Sequence, residues 1–197
     1  IKEESKSKIS KKLIIRNISI NSKKIKKNDV FFAIKGERID GNKFVSEALK
    51  NNSSLAIVNK INKSCEAAKQ VKVKNTLSFL TKCSSIFREN TNAKIISITG
   101  SCGKTTLKEM IGRTLKLISR ASYSEKSFNN KYGVPLSLFN LKQNDKFGVF
   151  EVGMDKKGEI DNLTKIIKPD LGIITNISYA HAKNFKSINK IAEAKAE

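Results

Sequence analysis

Strand-length apolar runs and helix-period patterns alternate along the chain, separated by polar turns. Residues 13–20, 30–34 and 55–58 are short runs rich in Ile, Val, Leu and Phe, the signature of strands. The first is followed by the polar turn 21–24, the second by the loop 35–41 with its two glycines. Residues 44–50 place Phe44, Val45, Ala48 and Leu49 on one face of a helix. A longer helix is predicted over 76–88, with Leu77, Leu80, Ser84 and Phe87 in register. The second half is more regular: a strand at 94–99, a glycine-containing turn, and a helix from about 107 to 117. A strand at 147–152, a helix at 159–167 stopped before Pro169, and a strand at 171–175 come next. The last residues fall inside another helical pattern, with no strand after it, and no internal repeat is visible.

Strands that alternate with helices predict an α/β fold. The expectation is a small α/β domain over residues 1–76. After it comes a P-loop-type domain over 77–197, incomplete, with a mostly parallel sheet and helices on both faces. A chain of 197 residues accommodates one large domain or two small ones.

Composition changes this picture little. A hydrophobic content of 39% supports a real core and excludes wholesale disorder. No apolar run approaches the ~20 residues of a membrane-spanning helix. The first residues carry no apolar signal-peptide region, and without an initiator Met the natural N-terminus is expected upstream. The net charge of +21 first suggests nucleic acid. Yet 34 of the basic residues are Lys and five are Arg, in a chain also crowded with Ile and Asn. That is the bias of an AT-rich genome, whereas a dedicated binder would be expected to use Arg. The excess is also spread out, +13 over residues 1–92 and +8 over 93–197. A solvated surface is therefore expected rather than a nucleic-acid partner, although an acidic small molecule would benefit from the field. Cys65, Cys83 and Cys102 are odd in number and form no CxxC pair. A disulfide framework or zinc site is not expected, and a reducing cytoplasm is.

The strongest chemical signal runs from Gly100 through Ser101, Cys102, Gly103, Lys104 and Thr105 to Thr106. A glycine-containing turn between a strand and a helix lets successive backbone N–H groups surround phosphate oxygens. Lys104 would neutralise β- and γ-phosphates, and the Thr105 hydroxyl would ligate Mg²⁺. Only the short G-x-x-G-K-T form is present, since Ile98 stands where the longer motif has its first glycine. Mg²⁺ needs further oxygen ligands. Glu151, at the end of an apolar strand, would project from the carboxyl edge of the sheet, where open α/β folds bind ligands. His181 is the one histidine.

The run 98–110 resembles the ATP loop of the Mur ligases, the ATP-dependent amino-acid ligases of peptidoglycan synthesis. Residues 19–23 with 29–41 are similar to that family's uridine-nucleotide-binding domain. Asn129, Asn130, Gly133, Val134 and Pro135 resemble an N-N-x-x-G-V-P signature of one branch. Glu151 to Met154 with Gly158 to Ile160, and Ile174 to Asn176 with Ala180 and His181, are similar to its central-domain pattern.

The resemblance implies ATP-dependent joining of D-Ala-D-Ala to a UDP-N-acetylmuramoyl-tripeptide, through an acyl phosphate, in the bacterial cytoplasm. ATP would lie on Gly100 to Thr106. One Mg²⁺ would be held by Thr105 and Glu151 and a second by His181. Lys195 sits where many members carry a carbamylated lysine, and with Lys104 and His181 it would serve the chemistry. Ser22 and the loop carrying Lys35, Gly36, Arg38, Asp40 and Gly41 would contact the UDP-sugar. Asn129 and Asn130 would shape the substrate side. The resemblance further implies a C-terminal domain not present in these residues, a monomer when complete, and no ligation by residues 1–197 alone. Cys102 replaces a usual Asn, and Asn21, Ser22 and Lys23 replace a usual Asp-Ser-Arg. Another Mur ligase, a folylpolyglutamate synthase-like ligase, and a basic nucleotide- or nucleic-acid-binding module are the competing readings.

Overall fold

The computed structural model describes residue 13 and residues 15–179 and 184–197. His181, expected at the metal site, lies outside them, as does residue 14 of the first expected strand. The chain divides into two compact units, Ile1–Cys83 and Ser84–Glu197. The division falls inside helix α2 (Thr76–Glu89), whose N-terminal end is where the sequence places its boundary.

The first unit is built on β1 (Asn17–Ser19), β2 (Asp29–Phe32), β3 (Leu55–Val58) and β4 (Gln70–Lys72), parallel throughout and in sequence order. Strands β2 and β3 are buried along their whole length, which is why they read as unbroken apolar runs rather than alternating ones. Helix α1 (Val45–Lys50) comes after a short 3₁₀ turn, Gly41–Phe44, and packs Val45 and Ala48 against Phe31, Ala33, Ala56 and Val58. The expected eight-residue first strand contracts to three, because it is an edge strand whose Leu13 and Ile15 stay exposed. Strand β4 escapes the sequence reading, since its one aliphatic residue, Val71, stands between Gln70 and Lys72.

The second unit contains β5 (Lys94–Thr99), β6 (Ala121–Tyr123), β7 (Phe147–Glu151) and β8 (Leu171–Ile174), again all parallel, in the order β6-β7-β5-β8. Its helices are α3 (Lys104–Ile118), α4 (Gly133–Leu138), α5 (Glu159–Ile167) and α6 (Ile188–Lys195). Ile95, Val134, Leu138, Phe150, Leu163 and Ile191 form the centre of the core. The α/β class with parallel sheets is as expected. Strand β6 and helix α4 are additions, and α3 begins three residues earlier than its apolar pattern suggests. Helix α6 closes at Lys195 rather than running to the end of the chain. The Glu197 carboxylate then accepts from the Gly158 N–H at 2.8 and 2.9 Å, satisfying the start of α5.

The strand order sets the location of any ligand. After β5 the chain crosses to β6 and returns through β7, then passes to β8 on the other side of β5. A reversal of this kind leaves a crevice outside the carboxyl end of β5. Among the described residues no helix is long and apolar enough to cross a membrane.

Candidate functional site

The crevice is filled by the turn between β5 and α3. Gly100 has φ +143° and Gly103 φ +77°, conformations that L side chains rarely adopt. At Gly100 a Cβ would lie 1.9 Å from Thr175 Oγ1, so glycine is required there twice over. Gly103 is the N-cap of α3, and no side chain caps the helix. The first-turn N–H groups therefore remain available at the positive end of the helix dipole, the arrangement that suits a phosphate.

The segment after β8 braces the turn from the other side. Ser101 N–H donates to Asn176 O at 3.0 Å, and Cys102 N–H to Asn176 Oδ1 at 3.0 Å. Thr175 Oγ1 donates to Cys102 O at 2.6 Å, and Ser178 N–H to Ser101 Oγ at 2.9 Å. The sequence marks 174–176 only through its resemblance to a family pattern. The bracing role itself has no sequence signal, because the bonds run largely to backbone atoms some 75 residues away.

Lys104 extends back over the turn and donates to Gly100 O at 2.7 Å. One residue on, Thr105 Oγ1 donates to Glu151 Oε2 at 2.7 Å. Glu151 is the last residue of β7, 1% exposed, and its other oxygen accepts from Asn129 Nδ2 at 2.7 Å. Among the described residues it forms no ion pair: its partners are a hydroxyl and an amide. A buried carboxylate satisfied only by neutral donors is an unfavourable arrangement that an added cation would relieve. No three His, Cys, Asp or Glu residues cluster among the described ones. The donor set is therefore a hydroxyl oxygen and a carboxylate oxygen beside a phosphate cradle. That fits Mg²⁺, which takes few protein ligands and completes its shell with phosphate and water.

Lys195, at the end of α6, is 4% exposed. Burial, and after it the charge of Lys104, lowers its pKa from the usual 10.5. It has no anionic partner among the described residues. Asn129 meets Glu151 directly, whereas Asn130 points elsewhere: its Oδ1 accepts from the Tyr132 and Gly133 N–H groups and starts α4.

The residues expected to hold a UDP-sugar lie in the first unit. Lys35 and Asp40 form an antiparallel bridge, and Gly36 N–H donates to Ile39 O at 2.9 Å, closing a tight loop that leaves Lys35 and Arg38 exposed. Gly41 N–H donates to Ile34 O. The Asn42 side chain and N–H donate to Asp40 Oδ1 and hold its carboxyl below the usual carboxylate range, with help from Lys35 and Lys43. Ser22 is buried, its hydroxyl donating to Glu47 Oε2 at 2.5 Å and its carbonyl accepting from Asn51 Nδ2. Its hydroxyl is thus engaged within the unit.

Comparison with known proteins places this arrangement. The Mur ligase middle domain matches residues 98–197, and the Mur ligase family, catalytic domain, matches residues 14–91. A Rickettsia prowazekii UDP-N-acetylmuramoyl-tripeptide–D-alanyl-D-alanine ligase is 37% identical over 189 residues, 96% of this chain and 42% of that protein. A crystal structure of MurF from Acinetobacter baumannii superposes with a TM-score of 0.84 at 35% identity, covering 92% of this chain and 40% of that one. The MurF ligase from Thermotoga maritima in complex with ADP superposes at 0.81 with 32% identity, covering 94% and 43%. The chain spans about 40% of the length of the curated relatives it matches. With an ordered match through both units, and a phosphate turn facing a buried glutamate where the middle-domain model falls, the chain belongs to the Mur ligase family.

Proposed function

We propose that this chain carries the nucleotide-binding part of an ATP-dependent ligase that joins D-Ala-D-Ala to a UDP-N-acetylmuramoyl-tripeptide in the bacterial cytoplasm, acting as a monomer. The observation that carries the reading is the facing pair Thr105–Glu151 beside an uncapped, glycine-turned helix N-terminus. The relatives' printed names support the choice of substrates.

In this reading the backbone of Gly100 to Thr106 surrounds the ATP phosphates. Lys104 exchanges its bond to Gly100 O for a β/γ-phosphate oxygen. Thr105 Oγ and the Glu151 carboxylate hold Mg²⁺, with His181 assigned a second ion. Bound there, the metal would supply positive charge to the polyphosphate. Asn129, bonded to Glu151 Oε1, orients that carboxylate. The terminal carboxylate of the tripeptide attacks the γ-phosphorus, ADP leaves, and the amine of D-Ala-D-Ala then displaces phosphate to form the amide. Activation is needed because a carboxylate is a poor electrophile, and positioning supplies much of the acceleration. A lowered Lys195 pKa enlarges the neutral-amine fraction, the form that adds CO₂ and loses a proton to become a carbamate. That anion would stand beside Lys104. In the first unit, the Lys35–Gly41 loop offers Lys35 and Arg38 to the UDP diphosphate, and Ser22 contributes if its bond to Glu47 opens.

The test is calorimetric titration of the chain with Mg·ADP and with UDP-N-acetylmuramoyl-tripeptide, together with phosphate release by the product of the whole reading frame. Saturable binding of both ligands, and release that depends on D-Ala-D-Ala and on no single amino acid, is expected. Phosphate release driven by an amino acid in place of the dipeptide would reassign the reaction to another branch. Mass spectrometry under bicarbonate tests the Lys195 carbamate by its added mass.

A further inference from the structure

Lys108 is fully buried on α3, one helical turn beyond Lys104, and nothing in the proposed chemistry uses it. A buried ammonium has three N–H donors and tolerates burial only when they are satisfied. Here all three have acceptors. Nζ donates to Ser124 O and to Lys126 O, each at 2.7 Å, and lies 3.1 Å from Glu109 Oε1. The two carbonyls flank Glu125 in the turn that leaves β6. Lys126 itself has φ +47°, a left-handed conformation that a non-glycine residue holds only under constraint.

The residues just beyond this turn form the far wall of the metal site. Ser127 Oγ lies 3.5 Å from Thr105 Oγ1, and Asn129 Nδ2 donates to Glu151 Oε1. Asn129 O accepts from the Gly153 N–H at 2.7 Å, just past β7. Ser124 is pinned at the near end, its N–H donating to Val149 O and its Oγ accepting from the Glu151 N–H. The segment 124–130 is thus tied to β7 at both ends and to α3 through Lys108 in the middle. Because Lys108 and Thr105 share one rigid helix, a shift of the phosphate turn and a shift of Asn129 are mechanically linked.

We propose that Lys108 is a positioning residue, whose buried ammonium sets the 124–126 turn, with Lys126 left-handed at its end, so that Asn129 and Ser127 are presented to the Thr105–Glu151 pair. The inference deepens the nucleotide–Mg²⁺ reading and rests on it. Lys108→Met keeps the unbranched chain to within one atom of its length and removes the three donors. The phosphate turn, braced by Thr175, Asn176 and Ser178, does not depend on Lys108, so nucleotide contacts made by backbone alone survive.

The experiment measures ADP affinity of the chain with and without Mg²⁺, in wild type, Lys108→Met and Lys108→Arg. Amide hydrogen exchange at Gly153 and Gly133 in the ligand-free proteins accompanies it. Lys108→Met is expected to leave Mg²⁺-free ADP affinity within about twofold and to cut the gain conferred by Mg²⁺ by about tenfold or more, the range for lost outer-shell support of a metal site. Gly153 exchange should accelerate in the same variant, and Lys108→Arg should retain part of the Mg²⁺ gain. An unchanged Mg²⁺ gain overturns the proposal. So does an equal loss of Mg²⁺-free binding, or failure of both variants to fold, since each assigns Lys108 to the core alone. If the wild type binds no ADP the nucleotide reading falls, whereas the exchange data still decide whether Lys108 holds the turn.

Discussion

Two glycines in one turn, both at positive φ, should respond differently to the same added methyl. At Gly103 the Cβ of alanine meets nothing within 4 Å, so Gly103→Ala carries only the left-handed backbone penalty of roughly 1–2 kcal/mol. At Gly100, φ +143° lies where glycine is all but required, so the backbone penalty is at least as large, roughly 1–3 kcal/mol, and the Cβ lands 1.9 Å from Thr175 Oγ1. That hydroxyl has one proton, donated to Cys102 O at 2.6 Å with Thr99 O at 3.3 Å as the weaker partner, and displacing it costs about 1 kcal/mol. Gly100→Ala should therefore cost about 2–4 kcal/mol, at least about 1 kcal/mol more than its neighbour. At about 4 °C per kcal/mol for a unit of this size, the melting temperatures should differ by about 4 °C or more. The assay is favoured by composition: the chain has no Trp, and its three tyrosines, Tyr123, Tyr132 and Tyr179, all lie in the second unit. Tyrosine fluorescence during urea or thermal unfolding thus reports that unit. Equal destabilisation by the two substitutions would refute the claim that close approach to Thr175, rather than backbone conformation alone, fixes Gly100.

The same site carries further expected outcomes. Glu151→Gln should abolish the Mg²⁺-dependent gain in ADP affinity while leaving the unit folded, since it exchanges a buried unpaired charge for an amide of the same shape; calorimetry and a melting curve decide both halves. Cys102 is exposed in the phosphate turn, so a maleimide should modify it and block ADP, and saturating ADP should slow the reaction; modification at an unchanged rate under ADP would place the nucleotide elsewhere. Lys195 binds its proton more weakly folded than unfolded. The unfolded state therefore holds more protons between the lowered value and 10.5, and stability should rise with pH across that window. Lys195→Met should remove that rise and stabilise the unit at neutral pH, as read by urea midpoints from circular dichroism.

The parts legible in the sequence are those where burial and pattern agree. Strands β2, β3, β5 and β7 are largely buried runs bounded by polar turns, and α5 has Ile160, Leu163 and Ile167 on one buried face, so pattern alone places each to within two residues. Helix α3 illustrates the opposite. Its Met110, Leu117 and Ile118 are exposed, while its fully inward positions are Lys108 and Gly112. An apolar-periodicity reading therefore starts the helix late and cannot see that Lys104, Lys108 and Gly112, spaced by four, share a face. Strand β6 fails for a related reason: three residues flanked by Arg120 and Ser124 carry no alternation long enough to detect. At the site, the turn Gly100 to Thr106 is legible because a glycine-containing strand-to-helix turn restricts residue types at short spacing, and Glu151 because it ends an apolar strand. The link from Asn129 to Glu151 spans 22 residues and exists only once β6 and β7 pair.

The buried charges of the second unit sort by what satisfies them. Lys108 has three acceptors for three donors and is complete as it stands, whereas Asp145 accepts from the Lys142 N–H to close a turn away from the site. Glu151 and Lys195 are incomplete in opposite senses. The first is an anion held by neutral donors; the second is a cation whose one charged neighbour of note among the described residues is another cation, Lys104. A core selected for stability alone would replace both by apolar residues, since unpaired buried charge is among the costliest features a fold retains. Their persistence at either side of a phosphate turn is explained by ligands of both signs. In the proposed reading a divalent cation would answer Glu151, and polyphosphate would answer Lys104. A carbamate on Lys195 would convert the remaining mismatch into a pair. On this argument the unit should be stabilised by Mg·ADP beyond what ADP alone confers, and the excess should vanish in Glu151→Gln but persist in Gly103→Ala if that variant still binds the nucleotide.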